Sequence, residues 1–198
     1  MKSGLLGGHL GHSFSPEIHR RIGELTGRLY EYQLYEKTPE EIEGFLKNGD
    51  WDGLNVTIPY KETVMAYCDA LSEEARAIGA VNTLVRRDGK IIGYNTDYTG
   101  FRKSLEQNGV AVCGARTMVL GSGGASKAVC HVLEDMGAES VKLVSRSGEI
   151  NYENLSRHKD AEILINTTPV GMYPNTGVAA VFPGTFPDLK WAVDVIYN

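Results

Sequence analysis

Four short polar segments in the first half of the chain carry side chains suited to holding a small ligand. They are Ser13-Phe14-Ser15, the run from Asn55 to Lys61, Ala80-Val81-Asn82-Thr83 and Tyr94-Asn95-Thr96-Asp97. Apart from one lysine and one aspartate, their polar groups are neutral hydroxyls and amides. Such groups both donate and accept hydrogen bonds, so they suit a small ligand that is rich in hydroxyl groups.

The lysine and the aspartate of these segments are candidates for acid and base catalysis. Lys61 is predicted in the first turn of a helix that begins near Pro59, where the helix dipole disfavours a cation, and this unfavourable charge indicates a functional role. The alternative is a solvated surface lysine. Asp97 is predicted as a helix N-cap, a role that stabilises a helix by about 1 kcal/mol and is compatible with catalysis.

A glycine-rich turn in the second half of the chain predicts a dinucleotide site. It reads Gly121-Ser122-Gly123-Gly124-Ala125-Ser126 and lies between an apolar strand and a helix, so it fits G-x-G-x-x-G/A with a small serine in the last position. Gly121 permits the tight turn, and Gly123 lets the backbone approach a pyrophosphate at the helix N-terminus. The alternative is a turn of the same shape that binds nothing.

The end of the next strand favours NADP over NAD. An NAD enzyme is expected to place an acidic residue on the ribose 2′-hydroxyl about 20 residues beyond the glycines. The chain reads Ser145-Arg146-Ser147 there instead. A guanidinium can pair with a 2′-phosphate or stack on an adenine, and the serines can add hydroxyl contacts. The alternative for Arg146 is an exposed surface arginine.

The first half of the chain reads as short strands that alternate with capped helices. Ser15-Pro16 is predicted to open a helix with the serine as N-cap, and Gly27 is predicted to end it. Its apolar stripe is Ile18, Ile22 and Leu25. A strand over 30–35 is followed by Thr38-Pro39-Glu40-Glu41, a capping box that opens a second helix, and residues 54–58 alternate as a half-buried strand.

A hairpin and a helix complete the first half. Asp88-Gly89 favours a tight turn between strands over 80–86 and 90–94. The next helix is predicted from Asp97 to the stop at Gly109, with Phe101 and Leu105 on its apolar side. We place the domain boundary along this helix. Residues 1–97 are then predicted to form a substrate-binding domain and residues 98–198 an NADP-binding domain.

The second half predicts a Rossmann-type domain. Strands are expected over 117–120, 141–145, 162–166 and 191–196, with a helix over 125–136 and a short helix near Asn154. Strands separated by helices imply a parallel, doubly wound sheet with right-handed crossovers. The fold class is therefore α/β, with an N-terminal α/β substrate-binding domain followed by a Rossmann-type domain with a doubly wound parallel sheet.

Composition excludes several classes of function. The 198 residues are 42% hydrophobic and 23% charged, with a net charge of -5 and no cluster of Lys and Arg, so nucleic acid and membranes are not expected partners. The start of the chain lacks the long apolar region of a signal peptide. Cys68, Cys113 and Cys130 are widely spaced and indicate reduced thiols in a cytoplasmic protein. The histidines show no metal-ligand spacing, so no metal is expected.

Seven ordered stretches give the chain a specific resemblance. They are G-H-S-F-S-P, N-V-T-I-P-Y-K, A-V-N-T, G-Y-N-T-D, G-S-G-G-A-S, N-T-T-P-V-G-M and D-V-I-Y. In this order, over nearly the whole chain, they resemble the shikimate dehydrogenase family. The resemblance implies NADP-dependent reduction of 3-dehydroshikimate to shikimate in aromatic amino acid biosynthesis, with an active site between the two domains.

The resemblance also implies residue roles. Lys61 and Asp97 would form the catalytic pair, and Tyr197 would approach the substrate carboxylate from the second domain. The other implied substrate contacts are Ser13 and Ser15 to the carboxylate, Thr57, Asn82 and Asp97 to the hydroxyls, and Asn55. The implied cofactor contacts add Thr167, Thr168 and Pro169 to the residues of the glycine-rich turn and of Ser145-Arg146-Ser147. The Ser-x-Ser pattern resembles members that prefer shikimate to quinate.

The chain departs from the family pattern in two places. NADP-preferring relatives have a further basic residue after Arg146, whereas this chain continues Ser147-Gly148-Glu149. The family also continues beyond Asn198 with a loop and helices that return to the substrate domain, so the resemblance implies a shortened chain. Two alternatives stay open, a fragment that binds nucleotide without turnover and a quinate/shikimate dehydrogenase of broader specificity. Apolar surface left exposed would favour a homodimer.

Overall fold

The computed structural model describes residues 1–11, 13–28 and 31–196. The chain divides into two compact units, one that ends at Thr96 and one that begins at Asp97. Each unit is built on its own β-sheet, and each sheet has its own apolar core. Each unit therefore has the internal packing of a domain.

The first unit is a mixed sheet with three helices. Its elements are β1 (Lys2–Gly7), α1 (Ser15–Thr26), β2 (Glu31–Glu36), α2 (Ile42–Asn48), β3 (Gly53–Val56), β4 (Ala70–Leu71), α3 (Glu73–Ile78), β5 (Thr83–Arg87) and β6 (Lys90–Tyr94), with short 3-10 helices at Pro39–Glu41 and Thr63–Tyr67. The strand order is β2-β1-β3-β5-β6-β4. Alternate residues of β3 face the core, where Leu54 and Val56 pack with Leu6, Ile42 and Leu84.

Helix α1 has the predicted ends but a different cap. It runs from Ser15 to Thr26, and Gly27 ends it with a φ of 65°. The prediction that Ser15 is the N-cap is wrong, because Ser15 is the first helical residue and the hydroxyl of Ser13 accepts its backbone N–H at 3.2 Å. The apolar stripe is exposed, with Ile18 at 48%, Ile22 at 42% and Leu25 at 74%.

Two local predictions in the first unit are confirmed. Glu41 accepts the backbone N–H of Thr38 at 2.8 Å in a capping box, although the box opens a 3-10 turn that leads into α2. Asp88 and Gly89 both have positive φ, 52° and 74°, as a two-residue hairpin turn between β5 and β6 requires. The two strands pair antiparallel from Thr83 with Tyr94 to Arg87 with Lys90.

The second unit is a parallel sheet covered on both faces. The helix α4 (Thr96–Gln107) leads into it, and its other elements are β7 (Arg116–Leu120), α5 (Gly124–Asp135), β8 (Ser140–Val144), β9 (Ile163–Asn166) and β10 (Trp191–Asp194), with 3-10 turns at Leu155–Arg157 and Pro183–Thr185. The strand order is β10-β9-β7-β8, and every pairing is parallel. The predicted fold class is confirmed.

The two faces of this sheet have separate cores. On one face, Val129, Val132 and Leu133 of α5 pack with Val119 and Ile165 of the strands. On the other face, Met118, Leu120 and Leu164 pack with Phe186, beyond β9. Burial on both faces explains the nearly continuous apolar runs of β7 and β9. None of the helices in the described ranges is long and apolar enough to cross a membrane.

Candidate functional site

The topology of the first sheet brings the polar segments to one edge. β1 and β3 run parallel, so residues 13–15, after β1, and 57–61, after β3, both follow strand ends at the same edge. β5 is antiparallel to β3, and β6 is antiparallel to β5, so residues 80–82 and 95–96 also lie at this edge. Asp97 is the next residue in the chain.

Backbone hydrogen bonds tie these segments to one another. Gly8 donates to the carbonyl of Ile58 at 3.1 Å, and Val56 donates to Asn82 at 2.7 Å. Val81 in turn donates to Lys61 at 2.7 Å, and Asn82 donates to Tyr94 at 3.0 Å. These bonds join three of the four segments, which are distant in sequence, to one another and to the residue that follows β1.

The end of β1 packs directly against the segment after β3. A Cβ at Gly7 would lie 2.6 Å from Cδ2 of Leu10 and 2.7 Å from Cγ2 of Thr57, so a larger residue there would displace these side chains. Thr57, Ser13 and Ser15 are each half-buried. Two hydroxyl-bearing loops thus border this part of the edge.

Asn55 lies in a groove between α1 and the sheet. The groove has a volume of about 980 Å³, and its lining includes His19, Ile22, Tyr32, Asn55 and Thr83. The hydroxyl of Tyr32 donates to Oδ1 of Asn55 at 2.8 Å, and the ring of His19 stacks on Tyr32 with 3.9 Å between centroids. Burial lowers the pKa of His19, and a hydrogen bond with Asn55 opposes that shift. Sequence reasoning missed His19 and Tyr32, because neither lies in a polar segment.

Lys61 does not lie in a helix, so that prediction is wrong. Residues 58–62 form turns, and the nearest helical residues begin at Thr63 in a 3-10 helix of five residues. The buried ring of Tyr60 fixes the segment in the core, and the carbonyl of Lys61 accepts from Val81 across the sheet edge. The argument from a helix dipole therefore does not apply to Lys61.

Asp97 is not the N-cap of α4, and that prediction is also wrong. The helix begins at Thr96, and Asp97 lies in its first turn. The amide oxygen of Asn82 accepts the backbone N–H of Thr96 at 2.9 Å, and Nδ2 of Asn82 donates to the Thr96 hydroxyl at 3.0 Å. The side chain of Asn82, from another segment, therefore supplies the acceptor that a local N-cap residue usually provides. The carboxylate of Asp97, in the first turn, interacts favourably with the helix dipole.

In the second sheet, the glycine-rich turn lies where the strand order reverses. β7 pairs with β8 on one side and with β9 on the other, which is the position where ligands bind in open α/β sheets. Gly121 has a φ of 104°, and a Cβ there would lie 2.9 Å from Oγ1 of Thr167. The same hydroxyl donates to the carbonyl of Leu120 at 2.6 Å. The end of β7 and the loop after β9 therefore approach each other closely at Gly121.

The start of α5 fits a phosphate group. A Cβ at Gly123 would have no neighbour within 4 Å, so the space in front of the turn is open. The first turn of α5 carries no acidic residue, and the buried hydroxyl of Ser126 donates back to the carbonyl of Gly123 at 2.6 Å. The helix start can therefore direct backbone N–H groups at an anion.

The segment predicted to select the cofactor lies beside this turn. Gly121 donates to the carbonyl of Val144 at 2.8 Å, which places the Ser145 loop next to the glycines. Ser145 donates to the carbonyl of Ile150 at 3.1 Å and closes that loop. Ser145 is half-buried, whereas Arg146 and Ser147 are exposed.

The loop after β9 is held by a polar network that sequence reasoning missed. Oδ1 of Asn166 accepts from the hydroxyl of Thr168 at 2.7 Å, and Nδ2 of Asn166 donates to the carboxylate of Asp194 at 3.1 Å. Pro169 is exposed in this loop. The predicted contact Tyr197 lies outside the described residues.

Comparison with known proteins identifies the family. A sequence model described as the shikimate dehydrogenase substrate binding domain matches residues 5–84. A relative from Clostridium perfringens, shikimate dehydrogenase (NADP(+)), is 43% identical over 211 residues, which cover 98% of this chain and 78% of the relative. This chain belongs to the shikimate dehydrogenase family.

Solved structures of shikimate dehydrogenases extend the likeness to three dimensions. Shikimate dehydrogenase 1 from Peptoclostridium difficile has a TM-score of 0.90 and 38% identity, and the match covers 100% of this chain and 78% of that one. The enzyme from Thermus thermophilus, in complex with NADP(H) and shikimate, has a TM-score of 0.86 and 31% identity, with 98% and 78% covered. Both units of this chain therefore have counterparts in these enzymes.

Proposed function

We propose that this protein is an NADP-dependent shikimate dehydrogenase, which interconverts 3-dehydroshikimate and shikimate in the biosynthesis of aromatic amino acids. The observation that carries the proposal is the convergence of four hydroxyl- and amide-bearing segments at one edge of the first sheet. A polyhydroxylated acid matches the hydrogen-bonding character of this edge. The names of the C. perfringens relative and of the T. thermophilus complex support the same reaction.

The substrate contacts follow from the edge and from the family pattern. Ser13 and Ser15 would hold the carboxylate with hydroxyl groups from the loop after β1. Thr57, Asn82 and Asp97 would contact the ring hydroxyls, and Asn55 and Tyr197 are the other substrate contacts that the family pattern implies. Hydroxyl and amide donors at fixed positions can reject a ligand that lacks a matching group, since an unpaired buried polar group is costly.

The cofactor contacts are assigned to the second unit. The turn of Gly121, Ser122, Gly123, Gly124, Ala125 and Ser126 would receive the pyrophosphate, and Thr167, Thr168 and Pro169 would border the nicotinamide. Ser145, Arg146 and Ser147 would contact the adenosine 2′-phosphate, since a guanidinium pairs well with phosphate oxygens. When bound, NADP donates or accepts the hydride.

Lys61 and Asp97 are assigned to the proton transfer. During reduction the ketone carbon gains a hydride, and the ammonium group of Lys61 gives a proton to the oxygen as negative charge develops there. During oxidation the same nitrogen takes the proton of the substrate hydroxyl. Asp97 would orient both the lysine and that hydroxyl, so its carboxylate acts on the geometry and on the charge of the pair.

Turnover of the purified chain tests this function. We expect shikimate to drive the formation of NADPH, followed by its absorbance, with Lys61→Ala as the matched negative control. Quinate in place of shikimate measures substrate preference, and NAD in place of NADP measures cofactor preference. Binding of NADP by calorimetry without turnover would refute the assignment as an enzyme and leave a nucleotide-binding protein. Faster turnover of quinate would shift the assignment to a quinate/shikimate dehydrogenase.

We also infer a cytoplasmic homodimer. The free thiols of Cys68, Cys113 and Cys130 support a reducing compartment. The exposed apolar stripe of α1 supports self-association, because exposed apolar surface is buried when subunits assemble. Light scattering should give the mass of a dimer for the wild type and a lower mass for Leu25→Ser. A monomeric wild type would refute the dimer.

A further inference from the structure

Side-chain amides connect the segment before β5 to the segment after β6, beyond the last residue pair of the two strands. The ladder ends with Thr83 opposite Tyr94. One step further, Asn82 binds Thr96 through both its amide oxygen and its amide nitrogen, at 2.9 and 3.0 Å. Nδ2 of Asn95 donates to the carbonyl of Ala80 at 2.9 Å. Asn95 is 4% exposed, so its amide is part of the interior.

A single peptide group links Asn95 to the backbone of Lys61. The carbonyl of Ala80 accepts from Asn95, and the N–H of Val81, in the same peptide group, donates to the carbonyl of Lys61 at 2.7 Å. Ala80 and Val81 are fully buried. Hydrogen bonds on the two sides of one peptide group polarise it and strengthen each other, so the amide of Asn95 also affects the bond to Lys61.

We propose that Asn95 is a positioning residue for the catalytic lysine. Its side chain fixes the backbone of Lys61 relative to the start of α4, whose first turn carries Asp97. The inference rests on the proposed function, which assigns the proton transfer to these two residues. Asn95 acts through Lys61 and does not contact the substrate, because its amide is buried against Ala80. This differs from the sequence-based expectation that Asn95 belongs to a ligand-binding set.

The proposal differs from a purely structural role in what it predicts for the proton-transfer step. Loss of fold stability alone lowers the amount of active enzyme and leaves the properties of each turnover unchanged. Misplacement of Lys61 slows the step in which a proton moves, and a displacement of 1 Å can cost about 10²-fold in rate. A slower proton transfer increases the solvent deuterium isotope effect on kcat, which a loss of active enzyme does not change.

The test replaces Asn95 with leucine, which keeps the size and removes the donor. We expect the amide of Val81 to exchange faster with deuterated water, kcat for shikimate to fall at least about tenfold and the solvent isotope effect to rise. NADP binding should be unchanged. Ser3→Ala is the matched control, because Ser3 is also buried and its hydroxyl donates to the backbone of Glu31 at 3.0 Å in the same sheet. The control should keep the wild-type kcat and isotope effect.

The remaining outcomes are decisive. A folded Asn95→Leu protein with wild-type kcat overturns the proposal, and so does a lower kcat without a change in the isotope effect. If Asn95→Leu does not fold, the smaller Asn95→Ser variant is measured in the same way. If the wild type does not turn over, the proposed function fails. Hydrogen exchange of the Val81 backbone amide still tests Asn95, because exchange unchanged in Asn95→Leu would show that the Asn95 side chain does not control the bond from Val81 to Lys61.

Discussion

Two glycines of the turn after β7 allow backbone strain and open space to be tested separately. Gly121 has a φ of 104°, and a Cβ there would lie 2.9 Å from Thr167 and 3.0 Å from Thr168. Gly123 has a φ of -82°, and a Cβ there would have no neighbour within 4 Å. We expect Gly121→Ala to destabilise the second unit. We expect Gly123→Ala to leave its stability unchanged and to weaken NADP binding.

The magnitudes follow from these geometries. An alanine forced into the backbone conformation of Gly121 costs about 1–3 kcal/mol. The displaced hydroxyl of Thr167 would also lose its bond to Leu120, which contributes about 1 kcal/mol. Together these losses, about 2–4 kcal/mol, lower the Tm by about 4–16 °C for a chain of this length. At Gly123, a weaker helix cap and a less flexible unfolded chain oppose each other by similar amounts, below about 1 kcal/mol each, so the net change is small.

Gly123→Ala should lower the affinity for NADP although it leaves the stability nearly unchanged. A methyl group there would occupy the open space in front of α5, where the backbone must approach a pyrophosphate. We expect a dissociation constant at least about tenfold higher, equivalent to about 1.4 kcal/mol. Scanning calorimetry gives the Tm, and titration calorimetry gives the affinity. Equal losses of Tm in both variants, or unchanged NADP affinity in Gly123→Ala, would refute the assignment of backbone strain to Gly121 and of space for the cofactor to Gly123.

Three further predictions concern single side chains. Lys61→Ala should lower kcat by about 10²- to 10⁴-fold with NADP affinity intact, and a loss below about threefold would show that Lys61 is not the acid. Arg146→Asp should weaken binding of NADP far more than of NAD, and an equal change in both dissociation constants would contradict the assignment. Burial lowers the pKa of His19, so the unfolded chain binds this proton more readily and stability falls as the pH drops through the usual pKa of about 6.5. His19→Gln should lose less unfolding free energy than the wild type on acidification, and a loss equal to that of the wild type would count against a partly buried, neutral His19.

Features set by neighbouring residues were predicted well. The Asp88-Gly89 turn depends on two adjacent φ angles, and the capping box of Thr38 and Glu41 depends on residues three apart. The parallel sheet of the second unit followed from apolar strands separated by helices, a pattern that few topologies satisfy. In each case the interactions that decide the structure lie within a few residues or within one repeated pattern.

The wrong predictions concern groups whose partners are distant in sequence. The first N–H of α4 is accepted by Asn82, from the segment before β5, so the local pattern pointed to Asp97. Lys61 was assigned to a helix because Pro59 commonly opens one. The bond from Val81 to Lys61 and the buried ring of Tyr60 hold that segment in turns instead. Sequence patterns contain no information about which distant strand supplies these contacts.

The same limit applies to the polar residues of the edge, because their side chains can pair with distant segments as well as with a ligand. The carbonyl of Ala80 is buried beyond the end of the β5–β6 ladder, and leaving it unpaired would cost about 1–3 kcal/mol. Asn95 satisfies it, while Asn82 satisfies the start of α4 from the opposite segment. Each segment therefore carries an amide that the other requires, and the polar composition of the two segments reflects this mutual pairing as well as any substrate. The hydroxyls of Ser13, Ser15 and Thr57 border the edge without the interior burial of these two amides. The proposed function assigns these hydroxyls to the substrate, and that of Ser13 also accepts the backbone N–H of Ser15.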